Sequence, residues 1–307
     1  MGSRKLDKGE FVKITFGMIV LNGNQVLKQV LESVYPYAHQ ILVAEGPVNY
    51  WQQKGVFTST DGTNEILDNF PDPDNKLKVI HSQYQEKDQQ CNAYIPYMKE
   101  DTDYLWNLDC DEVFKPDDVC KLMEVLEKEK YTSVGFKSCT FYGGFTHVMG
   151  GFEENAEFIR IKKVYPGSYW ATHRPPTIAH KIENPMPEKH LNFNFLNEHY
   201  GIKMYHYSYT FPYQVYNKLK YYREFVNTYN CIDNYFENVY LPWVLGDENQ
   251  KSKIEEIYNG VHEFKNRESA RTRMFDGQHP EVILKDMEVL KNKFNIQLEE
   301  LRGIYGR

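Results

Sequence analysis

An apolar run ends in a cluster of acids in the stretch Tyr104-Leu-Trp-Asn-Leu-Asp-Cys-Asp-Glu-Val-Phe114. Asp109 and Asp111 are two residues apart. On an extended chain their carboxylates point to one side and Cys110 to the other. Two such carboxylates repel each other, and a divalent cation relieves the repulsion. Mg²⁺ and Mn²⁺ favour oxygen donors and commonly share their shells with phosphate oxygens. A metal held by Asp111, with Asp109 beside it, would neutralise charge building on a departing phosphate and act as a Lewis acid. The alternative for residues 109–112 is an acidic turn capping the helix that starts at Pro116.

The elements around this cluster must place it where a ligand can reach. Residues 14–21 read as a buried strand, Asn22-Gly23-Asn24 as a turn, and Val26, Leu27, Val30, Leu31 and Val34 as one face of a helix closed by Pro36. Residues 40–45 form a second buried strand. Residues 47–60 read as a loop, 61–70 as a short helix, 77–81 as a third strand and 86–99 as a helix. Residues 104–109 are a fourth strand, 116–130 a helix and 133–137 a further strand. This alternation predicts a doubly wound, Rossmann-like α/β fold with a mostly parallel sheet, which binds ligands at the carboxyl ends of its strands. From about 140 to 211 Gly, Pro and aromatic residues crowd together, as in short strands and long loops. From Pro212 the chain reads helical. The expected organisation is a ligand-binding half over 1–140, the acceptor-side half of the same domain over 141–211, and a helical C-terminal segment over 212–307.

The first 140 residues resemble the nucleotide-binding half of family 2-like GT-A glycosyltransferases. The matching pieces occur in order: the strand running into Asn22, the strand ending at Glu45, the Glu86-Lys87…Gln90-Cys-Asn92-Ala93 helix, and Leu108-Asp-Cys-Asp-Glu-Val-Phe114. The resemblance implies a GT-A fold and a metal-dependent transfer of a hexosyl or pentosyl group. The donor would be a nucleoside-diphosphate sugar, UDP before GDP, and the acceptor a glycan, glycoconjugate or other hydroxyl. It also implies that Asn22 and Glu45 contact the nucleoside and that Lys87 and Asn92 border the nucleotide. Asp109 would touch the ribose and, with Asp111, the Mn²⁺ or Mg²⁺. The chain departs from the family at Asn22-Gly23-Asn24, where an acid usually follows the Asn, and at Glu45, where Asp is more frequent. On residue type alone, Glu45 also reads as a strand end, Lys87 as a solvated helix charge and Asn92 as a local hydrogen-bonder.

The second half carries weaker signals. His206 lies in Lys203-Met-Tyr-His-Tyr-Ser-Tyr209, and the resemblance implies a late His in the metal shell; a structural His fits the same pattern. Arg174, in Trp170-Ala-Thr-His-Arg-Pro-Pro176, suits phosphate geometry or a surface turn. An inverting transfer needs a carboxylate base near the acceptor hydroxyl. Glu153, Glu154 and Glu157 follow the Gly150-Gly151 pair and are the candidates, with Glu198 a further one. Spacing singles out none of them and leaves the stereochemistry open.

Composition narrows the alternatives. A net charge of −7 without a basic cluster speaks against a nucleic-acid partner. The 24 Tyr, 18 Phe and 4 Trp serve sugar stacking or cores equally well. Five scattered Cys without a CxxC pair suggest reduced thiols. The sequence has no apolar run approaching the roughly 20 residues of a membrane span and no signal-peptide pattern, so a soluble, cytoplasmic protein is expected. A sugar-phosphate nucleotidyltransferase would need a Gly-rich phosphate loop after the first strand, which Asn22-Gly23-Asn24 is not. A non-catalytic carbohydrate-binding protein on the same fold is the other alternative. The C-terminal aromatics Tyr216, Tyr222 and Tyr235, with Leu219, suit a homodimer or packing on the chain's own core.

Overall fold

The computed structural model describes residues 12–225, 230–265 and 269–305. Strand β1 (Ile14–Val20) is apolar on both faces and lies between two neighbours inside a covered sheet. Helix α1 (Leu27–Val34) leads to β2 (Gln40–Glu45), which is buried throughout. Helices α2 (Asn49–Gln52) and α3 (Thr63–Asp68) lead on to β3 (Leu77–His81). After α4 (Lys87–Ala93) the chain crosses to the far side of β1 as β4 (Tyr104–Asn107). These strands are parallel in the order β3-β2-β1-β4. The order reverses between β1 and β4, where an open α/β sheet leaves a crevice beyond its strand ends.

The short β5 (Glu112–Val113) is followed by α5 (Pro116–Glu129), β6 (Ser133–Tyr142), β7 (His147–Met149), α6 (Phe152–Asn155) and β8 (Glu157–Lys163). Strand β8 inserts antiparallel between β4 and β6, which makes the sheet mixed. Strands β9 (Tyr169–Thr172) and β10 (Thr177–Ala179) form a separate hairpin. The chain returns through β11 (His190–Leu191), α7 (Phe193–Tyr200) and β12 (Met204–Tyr209). Strand β12 pairs with both β5 and β6, so Glu112, His206 and Thr140 occupy one rung across three strands.

The rest comprises α8 (Pro212–Phe225), α9 (Leu241–Leu245), α10 (Glu248–Ile257), β13 (Thr272–Met274), α11 (Glu281–Lys285) and α12 (Met287–Tyr305). This segment is helical with one addition to expectation: β13 pairs with β7 at the sheet edge. Buried Tyr142 and Tyr209 pack with Tyr235, Tyr240 and Trp243, joining the segment to β6 and β12. Among the described residues no helix is long and apolar enough to cross a membrane, and all five Cys are free.

The fold is GT-A, a mixed and mostly parallel sheet with flanking helices. Several boundaries differ from the sequence reading. The helix expected over 86–99 stops at Ala93; Pro96 sits in a 3-10 turn, where its missing N–H costs no helical bond. The loop expected over 47–60 contains α2. The strand expected over 133–137 continues to Tyr142, across residue 140, so the two halves share one sheet.

Candidate active site

Strand β4 ends against β1 with Leu108 N–H donating to the Gly17 carbonyl at 2.9 Å. The chain then bends: Glu112 N–H donates to the Asp109 carbonyl at 3.2 Å, closing a tight turn. Asp109 and Asp111 therefore do not lie on an extended strand, and the alternation expected there does not aim them. Their partners do. Asp111 Oδ1 lies 3.5 Å from His206 Nε2 on β12. Gln214 Nε2 of α8 donates to its Oδ2 at 2.9 Å. Tyr207 N–H donates to the Asp111 carbonyl at 2.8 Å and ties the turn to β12.

Asp109 is held differently. Arg160 of β8 donates from Nη2 to Asp109 Oδ2 at 3.0 Å, and its Nε lies 2.9 Å from both oxygens of Glu112. Glu112 is fully buried and Arg160 is 9% exposed. Burial opposes ionisation of Asp109, but the Arg160 guanidinium, helped by Arg174, outweighs it and holds the pKa at about 2. At Asp111 burial is likewise outweighed, here by His206, so the carboxyl pKa is lowered and the imidazole pKa raised. Both aspartates are ionised at neutral pH.

Cations face this acidic centre. Lys87, near the start of α4, has its pKa lowered to about 8 by burial and then by Arg174. Arg174 follows β9, and its charge acts on both Lys87 and Asp109. Lys218 Nζ donates to Ser208 Oγ at 2.6 Å and lies 3.9 Å from the Tyr209 ring centre. Gln214, Lys218 and Tyr221 recur at helical spacing along one face of α8. The Tyr221 ring sits 5.2 Å from Lys87 Nζ. Sequence reasoning missed Arg160, Gln214 and Lys218. Each is one polar residue among several in its element, and no local motif singles it out.

The donor set at Asp111 fits a divalent cation in part. A carboxylate oxygen and an imidazole nitrogen 3.5 Å apart suit Mn²⁺ or Mg²⁺. Two buried polar atoms in these side chains, His206 Nδ1 and Gln214 Oε1, have no hydrogen-bond partner. Among the described residues no group of three His, Cys, Asp or Glu converges as a ligand set, so the shell would be completed by ligand oxygens and water. Arg160 already engages one oxygen of Asp109, so Asp111 and His206 would be the first of the protein's donors.

The strand ends on the other side build a second region. Glu45, 1% exposed, accepts from Ser59 N–H at 2.7 Å and pairs with His81 Nδ1 at 3.0 Å. It borders an open cleft of about 460 Å³ lined also by Phe57, Thr58, His81, Ser82 and Gln83. Asn22, at φ 54, spends its side chain on the same loop, with Thr60 N–H donating to Oδ1 at 2.8 Å. Asn92 has both ends of its amide engaged by β9: Trp170 N–H donates to Oδ1 at 2.9 Å, and Nδ2 donates to the Trp170 carbonyl at 2.8 Å. Asn22 and Asn92, expected beside the nucleotide, are engaged with the chain's own loops. Asn92→Ala would strand two backbone groups of a residue only 3% exposed. We expect a loss of about 2 kcal/mol in urea unfolding; a change below about 0.5 kcal/mol would show the clamp to be idle.

The three candidate glutamates part company. Glu153, 7% exposed, accepts from Thr140 Oγ1 at 3.2 Å and faces His262 Nε2 at 3.3 Å. Thr140 shares the rung of His206, so Glu153 sits near the acidic centre. Glu154 pairs instead with Arg273 at 3.1 Å and Lys137 at 3.7 Å. Glu157 pairs with His190 at 2.9 Å and accepts from Phe193 N–H at 3.0 Å. Neither is brought to Asp111. Glu198 lies exposed on α7.

Comparison with known proteins follows this geometry. No curated protein shows significant similarity to the chain. Among solved structures, S. aureus TarS is 13% identical with a TM-score of 0.33, covering 50% of this chain and 28% of its own. S. aureus TarS 1–349 in complex with UDP-GlcNAc is 13% identical at a TM-score of 0.32, covering 46% of this chain and 41% of its own. The 4-diphosphocytidyl-2C-methyl-D-erythritol synthase of Anaerococcus prevotii is 10% identical at 0.29, covering 50% and 71%. The chain thus spans under a third of the first TarS structure, and at these scores the likenesses carry no argument about activity. The family model described as glycosyl transferase family 2 matches residues 58–208. That span runs from the loop facing Glu45 through the acidic turn to the strand of His206, and with it the chain carries a family 2-like glycosyltransferase domain of the GT-A fold.

Proposed function

We propose that the chain transfers a sugar from a nucleoside-diphosphate sugar to a glycan or other hydroxyl acceptor. The observation that carries this reading is the Asp111–His206 pair, set at the strand-order reversal and faced by Lys87, Arg174 and Lys218. Two ionised aspartates alone would repel a diphosphate. Three cations facing them, with a divalent ion on Asp111 and His206, make the site a diphosphate cradle. The bound Mn²⁺ or Mg²⁺ would supply Lewis-acid stabilisation of the departing diphosphate. Lys87, Arg174 and Lys218 orient the phosphates, and Arg160 keeps Asp109 charged and fixed. Glu153, an ionised carboxylate near His206, is proposed to take the acceptor's proton.

UDP is the proposed nucleotide. Ser59, His81 and Thr58 already occupy both oxygens of Glu45. What remains suits the single N–H of a uracil edge better than the paired donors of guanine. The nucleotidyltransferase alternative loses ground on the turn after β1. The backbone N–H groups of Asn22, Gly23 and Asn24 all donate to side chains of Ser59, Thr63 and Asp61, so none is free to cradle a phosphate. Calorimetric titration of UDP and GDP, each with and without Mn²⁺, tests the proposal. Tight binding of UDP only with metal is expected. If neither nucleotide binds in Mn²⁺, the reading fails.

A further inference from the structure

We propose that His262, delivered by the C-terminal segment, is a positioning residue that aims Glu153 at the acceptor hydroxyl; this rests on the glycosyltransferase reading above. A carboxylate that receives a proton must be held in one orientation, and two contacts on its oxygens, each backed by further bonds, do this. His262 Nε2 lies 3.3 Å from Glu153 Oε1, with their side chains 5% and 9% exposed. On the other oxygen, Thr140 Oγ1 donates at 3.2 Å and is itself paired with Ser138 Oγ at 2.7 Å. Phe264 N–H donates to His262 Nδ1 at 3.1 Å and fixes the ring with Nε2 facing Glu153. Behind the ring, Glu263 Oε2 lies 3.3 Å from Nδ1 and accepts the Tyr209 hydroxyl at 2.7 Å.

The backbone that carries His262 is equally fixed. Gly260 has φ +116, and a Cβ there would meet the Ala270 backbone nitrogen at 2.7 Å. Only glycine makes this bend, and it turns His262 inward. Burial opposes ionisation of Glu153, but the hydrogen bond from His262, with His206 and Lys218 also acting on the carboxylate, outweighs it and lowers the pKa to about 2. In the transfer, the acceptor oxygen bonds to the anomeric carbon as the bond to the diphosphate oxygen breaks. The diphosphate leaves with the electron pair, and the acceptor's proton passes to Glu153. His262 touches neither sugar nor diphosphate in this scheme; it fixes the angle at which Glu153 meets the hydroxyl.

The test follows UDP release from UDP-glucose, UDP-galactose and UDP-N-acetylglucosamine in Mn²⁺, with water and simple glycosides as acceptors. UDP affinity is measured alongside. We expect His262→Ala to lower turnover by about 10- to 100-fold, with UDP affinity within about twofold of wild type. The acid limb of its pH profile should move upward, because a group that depresses the Glu153 pKa is gone. His262→Gln keeps a donor nitrogen and should recover most of the rate. Unchanged turnover and pH profile in His262→Ala would overturn the proposal. So would a parallel fall of turnover and UDP affinity in both variants, the mark of a merely structural contact. Should His262→Ala fail to fold, Glu153→Gln decides: retained turnover overturns the proposal, and lost turnover with intact UDP binding supports it. Absence of UDP binding by the wild type sinks the parent reading instead, and this one with it.

Discussion

Asp111→Asn is expected to abolish metal-dependent nucleotide binding and to lower turnover by about 10²- to 10³-fold or more. The substitution keeps the shape of the side chain and an oxygen able to accept from Gln214 Nε2, now 2.9 Å from Oδ2. It removes the charge that faces His206 across 3.5 Å. A neutral amide oxygen is a poorer ligand for Mn²⁺ than a carboxylate, and the protein offers few other donors there. The loss should therefore appear first in metal affinity, then in UDP affinity measured with metal, while UDP affinity without metal changes little. Thermal unfolding should move by a few degrees at most, since the turn's backbone bond to Tyr207 is retained. Wild-type metal and UDP binding in Asp111→Asn would remove the diphosphate cradle from consideration.

The frame around this turn is legible in the sequence because its residues answer to local rules. The runs that form β1, β2 and β3 are apolar and bounded by turn residues, and the structure places them within a residue of the reading. The helix expected over 86–99 is shorter because Pro96 stops it while the apolar period continues past Ala93. The acidic turn was legible as composition and not as geometry. Nothing local to residues 109–112 reveals that Arg160 and Glu112 meet with Asp109, since that contact depends on β8 inserting antiparallel beside β4. His206 could be singled out, but Gln214 and Lys218 depend on how α8 lies over β12, a tertiary fact. The glutamates show the same limit. Glu153 and Glu154 are adjacent in sequence, yet the short helix α6 sends one toward the His206 rung and the other to Arg273.

Arg160→Met should be the most destabilising single change in the site. Arg160 is the counter-charge for fully buried Glu112 and for Asp109 at once. Methionine fills much of the volume but leaves the two carboxylates facing each other without a cation. Breaking a buried pair from one side costs about 3–5 kcal/mol, a large share of the roughly 5–15 kcal/mol that holds a domain folded. Urea unfolding at neutral pH should report that loss. The pH dependence gives a second check. The folded pKa of Asp109 is depressed to about 2. Its contribution is therefore present above the ordinary carboxylate range and is lost as pH falls toward 2. Without Arg160 the largest part of that contribution is lost, so the gap between wild type and variant should narrow on acidification. Adding Glu112→Gln to Arg160→Met removes the stranded charge and should recover more than half of the loss, because an unpaired buried ion costs more than an unpaired amide. A single variant that unfolds within about 1 kcal/mol of wild type would mean that solvent reaches Glu112 and that the triad contributes little.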